Sequence, residues 1–166
     1  MTAPLRVGLG FDAHRFAKER PLVLGGVKLR DEHGLLGHSD ADVLAHAIMD
    51  ALLGAAGLGD IGELFPDTDP GLEGADSLEL LRTVAALLRQ SGWELVNVDA
   101  VVICEEPRIA PHKAEMSRRL AAAMGVDPDR VVLKGKTTEG LGFAGRGEGI
   151  AVQAVALVER RERTDT

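Results

Sequence analysis

The run Ile150-Ala151-Val152-Gln153-Ala154-Val155-Ala156-Leu157-Val158 limits the fold more than any other segment of the chain. Side chains on a strand alternate between its two faces, and this run is apolar on both. A strand of that kind lies inside a sheet covered on both sides. The spacing predicts a strand over 149–159, and the remaining elements must supply its cover.

Leu5 to Phe16 reads as a first strand. Pro21 to Arg30 reads as a hairpin whose Gly25-Gly26 turn tolerates positive φ. His38-Ser39-Asp40 opens a helix to about Ala56, with Leu44, Ala47, Ile48, Ala51, Leu52 and Ala55 at helical spacing. Residues 57–74 are punctuated by glycine, proline and acidic residues and read as a loop. Asp76 and Glu79 form a capping-box pattern for a second helix ending near Gly92. A strand over 93–105, a helix over 109–124, a strand over 131–137 and a glycine-dense turn over 140–147 complete the order. Mixed strands and helices with long connections predict an α+β fold, a single mixed sheet with helices packed on one face. Three helices cover one face, so the other is expected to be buried against a partner subunit. At 166 residues one domain is expected, over 1–160, with 161–166 a frayed polar tail.

Chemistry enters at the end of the first strand. Asp12 and His14 stand two residues apart and project to the same face. His46 lies in the first predicted helix on the line Asp42, His46, Asp50, which also fits the solvated side of an amphipathic helix. One carboxylate and two imidazoles suit zinc with an open fourth position, and Cys104, the sole cysteine, excludes a thiolate cage. Cys104 ends an apolar strand and reads as an inert core thiol.

Other features bear on ligand class. A net charge of −7 opposes nucleic-acid binding, and with four phenylalanines, one tryptophan and no tyrosine the chain lacks base-stacking platforms. No run approaches the roughly 18 apolar residues of a membrane span, and no leader pattern is evident, so a soluble cytoplasmic protein is expected. His38-Ser39, at a predicted helix start, can meet a phosphate through free backbone N–H groups or can simply mark an N-cap. Gly135-Lys136-Thr137 is not a phosphate loop, because Arg130 stands where that motif needs glycine and no helix follows. What remains is a strand end with Lys134, Lys136, Thr137, Thr138 and Glu139, able to grip phosphate and, through Glu139, a hard cation such as magnesium. Arg146, among glycines, suits a bidentate anion contact.

Four separated stretches carry a resemblance over nearly the whole chain. They are Gly10-Phe11-Asp12-Ala13-His14; Gly37-His38-Ser39-Asp40-Ala41-Asp42 with His46; the stretch 59–69 from Gly59-Asp60-Ile61-Gly62 to Asp67-Thr68-Asp69; and Lys136-Thr137-Thr138-Glu139 continuing through Gly142-Phe143-Ala144-Gly145-Arg146-Gly147-Glu148-Gly149. Together they resemble the 2-C-methyl-D-erythritol 2,4-cyclodiphosphate synthase family. The resemblance implies a lyase of the non-mevalonate isoprenoid route that cyclises 4-diphosphocytidyl-2-C-methyl-D-erythritol 2-phosphate and releases CMP. It implies zinc on Asp12, His14 and His46, and magnesium or manganese on Glu139. His38 and Ser39 would meet the 2-phosphate and Thr137 the diphosphate, with His38 and Thr137 counted as catalytic. Asp60 and Gly62 would bind the erythritol hydroxyls, with Ile61, Asp67, Lys136 and Thr138 beside the substrate. The resemblance further implies a homotrimer with sites between subunits, the cytosine held by a neighbour's 104–110 segment including Pro107, Arg108 and Ala110. Phe143 and Arg146 would line the trimer axis, where an isoprenoid phosphate could bind. Two rival readings from the residues are a zinc hydrolase of another phosphoester and a non-catalytic oligomeric scaffold.

Overall fold

Glycines at two alternate positions of the first strand let a helix lie directly on its backbone, and this contact organises the chain. The computed structural model describes residues 4–161. Strand β1 (Leu5–Ala17) turns Gly8, Gly10, Asp12 and His14 inward. A Cβ built on Gly8 would stand 1.8 Å from the carbonyl oxygen of Ala51, and one on Gly10 would stand 1.8 Å from that of Ala47. Both helix residues are alanines of α1 (Val43–Ala56), which is buried along most of its length.

Between them lie β2 (Leu22–Leu24), β3 (Val27–Arg30) and the short β4 (Gly34–Leu35). The Gly25-Gly26 turn has φ of 56° and 75°, as expected of a two-residue hairpin turn, but β2 and β3 form a separate two-stranded sheet. The chain continues through α2 (Ile61–Leu64), α3 (Ser77–Gln90), β5 (Trp93–Ile103), α4 (Lys113–Met124), β6 (Val131–Lys136), α5 (Gly142–Gly145) and β7 (Gly149–Arg160). The main sheet runs β4-β1-β7-β5-β6. Its pairs are antiparallel except β5 with β6, whose parallel pairing is reached through α4. The α+β class and the mixed sheet therefore hold, with α1, α3 and α4 on one side.

Several expected details differ. The first long helix starts at Val43, and its N-cap is Asp42 rather than Ser39 or Asp40. Asp76 does cap α3, accepting from Leu78 N, but Glu79 bonds Arg82 instead of closing a capping box. The 57–74 loop contains the single turn α2, and the 140–147 turn contains α5. Strand β7 is covered on one face only within this chain: Gln153 is exposed, and so is Val155, at 42%. Val7 (66%), Leu9 (67%) and Phe11 (54%) lie on the same bare face.

Cys104 is buried as expected, and burial, assisted by Glu105, pushes its thiol up to about 11. Among the described residues no helix is long and apolar enough to cross a membrane. Arg161, the first residue of the expected tail, donates its N–H to Gly92 O and pairs with Glu94; the rest of that tail lies outside the described residues.

Candidate active site

The close seat of α1 on β1 sets His46 above the Asp12–His14 pair. Asp12 Oδ2 lies 2.9 Å from His14 Nε2 and 3.1 Å from His46 Nδ1. One ligand atom from each of the three residues falls within 4.8 Å of the others. The stripe Asp42, His46, Asp50 is therefore not a solvated face: Asp42 and His46 are buried, and Asp50 is half-buried.

Hydrogen bonds on the far side of each ring fix what the near side offers. His14 Nδ1 faces only the carbonyl oxygen of Leu36, at 2.6 Å, so that nitrogen carries the proton and Nε2 is left bare. His46 Nε2 faces the hydroxyls of Ser39 (3.1 Å) and Ser77 (3.0 Å), and Ser77 gives its own proton to Asp40. The Ser77 oxygen therefore accepts from His46 Nε2, leaving Nδ1 bare. Two imidazole lone pairs and a carboxylate oxygen converge, an arrangement that only positive charge stabilises: ring protons or one divalent ion. Burial works to raise the Asp12 pKa, but its contacts with the His14 and His46 rings outweigh it and hold the group at about 2. Burial likewise works to lower His14, and Asp12 outweighs it, so the ring is raised above its ordinary 6.5. The donor set fits zinc or a similar transition metal, with room for a fourth ligand.

The cluster forms the floor of a cavity of about 240 Å³, walled by His38, Ser39, Ile61, Gly62 and Asp67 among others. Arg20 shapes one wall by donating to Gly37 O (2.7 Å) and Ser39 O (2.9 Å). His38 Nε2 donates to Asp69 O at 2.9 Å, tying that wall to the 57–74 segment. Because α1 begins later than expected, His38 and Ser39 do not sit at its first N–H groups. Asp50 Oδ1 accepts from Ile61 N (2.9 Å), and Asp60 caps α2 by accepting from Glu63 N (2.9 Å). Asp60 is exposed and is not part of the cavity wall.

The remaining sequence candidates gather elsewhere. Pro107, Arg108, Ala110, Lys136 and Thr137 line a second concavity of about 230 Å³, which shares no lining residue with the first. Glu105 anchors its rim: one carboxylate oxygen accepts from Thr138 N (3.0 Å) and Gly140 N (3.4 Å). Between them Glu139 is exposed, with φ of 53°. Among the described residues no side-chain hydrogen bond joins Lys136, Thr137 or Glu139 to the metal cluster. Phe143 is exposed in α5, and Arg146 is paired with Glu148 at 3.0 Å rather than held free for an anion. Reading the sequence alone did not single out Gly8, Gly10 or Ser77. Alternate glycines facing the alanines of a helix are the signal for the first two; Ser77 meets His46 from 31 positions away, beyond any local pattern.

Fold and site define an α+β protein with three candidate metal ligands opening into a cavity of mixed polar and apolar lining. A model of the YgbB family matches residues 5–159. A 2-C-methyl-D-erythritol 2,4-cyclodiphosphate synthase of Azoarcus sp. (strain BH72) is 59% identical over 162 residues, covering 98% of this chain and all of the relative. The bifunctional IspDF of Campylobacter jejuni superposes with a TM-score of 0.91 at 46% identity, over 94% of this chain and 42% of that longer one. IspF of Plasmodium falciparum in its CDP complex superposes with a TM-score of 0.85 at 32% identity, over 98% of this chain and 100% of its own. The chain belongs to the YgbB family, that of the 2-C-methyl-D-erythritol 2,4-cyclodiphosphate synthases.

Proposed function

We propose that this chain is a metal-dependent phosphorus–oxygen lyase of isoprenoid precursor synthesis. It converts 4-diphosphocytidyl-2-C-methyl-D-erythritol 2-phosphate to 2-C-methyl-D-erythritol 2,4-cyclodiphosphate and releases CMP. The observation that carries this reading is the convergence of Asp12, His14 and His46 on the floor of a cavity walled by His38, Ser39, Gly62 and Asp67. End-to-end similarity to synthases of that name supports it.

Ring closure joins two anionic phosphates, so charge repulsion and positioning dominate the barrier. A divalent ion on Asp12, His14 and His46 would draw charge from a phosphate oxygen, and magnesium or manganese on Glu139 would do the same along the diphosphate. His38 and Ser39 hold the 2-phosphate, and Thr137 and Thr138 brace the diphosphate beside Lys136. Gly62, Ile61, Asp60 and Asp67 position the erythritol unit. No side chain need remove a proton, because a phosphomonoester with a second pKa near about 6 is already ionised at neutral pH.

The two concavities are read as halves of one site completed between copies of the chain. Pro107, Arg108 and Ala110 of one copy hold the cytosine while the metal cavity of the next holds the erythritol phosphate. The bare apolar face of Val7, Leu9, Phe11 and Val155 supports a trimer interface, and residues 1–160 are taken as its single folded unit. Phe143 and Arg146 then face the axis, where an isoprenoid phosphate could bind if it displaced Glu148 from Arg146.

Turnover in ¹⁸O-labelled water tests the reaction. Cyclisation yields CMP and a cyclic diphosphate without solvent oxygen. Label in the phosphate product would replace this reading with that of a zinc phosphoester hydrolase.

A further inference from the structure

His46 can offer Nδ1 to a metal only while its proton stays on Nε2. Two oxygens face Nε2, and they differ in kind. Ser39 Oγ accepts from Ala41 N (3.2 Å), but its hydroxyl proton is uncommitted and the residue lines the cavity. That hydroxyl can rotate and donate to a bare Nε2. Ser77 cannot: it is fully buried, and its proton is given to Asp40 Oδ1. Asp40 is itself fixed, its Oδ2 accepting from Ser77 N (3.0 Å) and its Oδ1 from Asp42 N (3.1 Å), while its own N–H donates to Ala75 O (3.0 Å).

We infer that Asp40 and Ser77 are positioning residues that hold His46 as its Nε2–H tautomer and thereby aim Nδ1 at the metal. The chain Asp40–Ser77–His46 runs from a carboxylate through a hydroxyl to the ring. It uses the start of α3 to set a ligand on α1, two elements joined otherwise by apolar packing. Outer partners of this kind fix ring orientation and strengthen the ligand. Without the Ser77 hydroxyl, Ser39 is free to donate to Nε2. The proton then moves to Nδ1, where Asp12 accepts it, and the site becomes a satisfied hydrogen-bond cluster that competes with metal.

This inference rests on the metal reading above, and the test separates the two. Zinc affinity of the full chain is measured by competition with a chromophoric chelator for wild type, His46→Ala, Ser77→Ala and Ser77→Thr. Ring ¹⁵N spectra of the metal-free proteins report the His46 tautomer, and circular dichroism reports the fold. Ser77→Ala should weaken zinc about tenfold to hundredfold and shift the His46 proton toward Nδ1, while Ser77→Thr, which keeps the hydroxyl, stays within about threefold of wild type. A folded Ser77→Ala with wild-type zinc affinity and an unshifted tautomer overturns the inference alone. Wild type that binds no more tightly than His46→Ala overturns the metal reading with it. Asp40→Ala removes the acceptor from the other end and should reproduce the Ser77→Ala effect; wild-type affinity there counts equally against the relay.

Discussion

Gly10 lies beneath Ala47 so closely that a methyl group on its Cα would stand 1.8 Å from the Ala47 carbonyl oxygen. The atom in the way is backbone, so α1 as a whole would have to lift. His46 is the residue next to Ala47, and Asp12 is two residues beyond Gly10 on the same face of β1. The packing contact and the metal geometry are therefore one arrangement. Gly10→Ala should destabilise the fold by about 3 kcal/mol or more and weaken zinc binding in whatever protein remains folded. Chemical denaturation and metal titration on the same sample check both effects.

Asp42 is fully buried, and its carboxylate accepts from Gly25 N (3.0 Å), Gly26 N (2.8 Å) and Ala45 N (3.1 Å). It fastens the β2–β3 turn to the start of α1. Burial, with Asp40 nearby, still pushes its pKa up. Asp42→Asn relieves the charge but turns an amide N–H toward a backbone N–H, so a loss of about 1–3 kcal/mol is expected in urea unfolding.

Metal and protons compete for His14. Asp12, held at about 2, stays ionised across the working range, whereas His14 titrates above 6.5. As pH falls through the raised His14 pKa, zinc affinity should drop about tenfold per unit for each proton displaced. The metal-free protein should respond in the opposite sense. A raised histidine pKa contributes stability that is present below the unfolded value and lost as pH rises through the folded one. Thermal unfolding between pH 5.5 and 8, with and without zinc, should show the zinc increment shrinking toward acid; an increment that grows toward acid would contradict the assignment.

Leu9 and Val155 face each other across β1 and β7 on the bare side of the sheet, 67% and 42% exposed. Leu9→Glu should cost the single chain little. In sedimentation it should convert the proposed trimer to monomers and abolish CMP release while leaving zinc affinity intact, because the three proposed metal ligands come from one chain. Retained activity in a monomer would refute a site completed between copies.

Local rules carried most of the fold. The hairpin was legible because Gly25-Gly26 dictates its own turn, and Asp12 with His14 because a period of two puts them on one face. The start of α1 was misplaced because Ser39 and Asp40 have good capping side chains that serve other partners, Ala41 and His46 in one case, Ser77 in the other. The double apolar face of β7 was read as burial by helices on one side and by a partner subunit on the other; within the chain one side is covered and the other is bare. Contacts across 31 and 33 positions, Ser77 to His46 and Glu105 to Thr138, have no local signature. They arise where α3 begins and just beyond the end of β5, against other elements, and only the assembled fold reveals them.

The most direct test is the zinc content of the purified chain after exposure to zinc and removal of the excess, by inductively coupled plasma mass spectrometry. One equivalent per chain is predicted for wild type and less than about a tenth for folded Asp12→Ala, His14→Ala and His46→Ala. One equivalent retained in any of those variants, or none in wild type, would contradict the shared site.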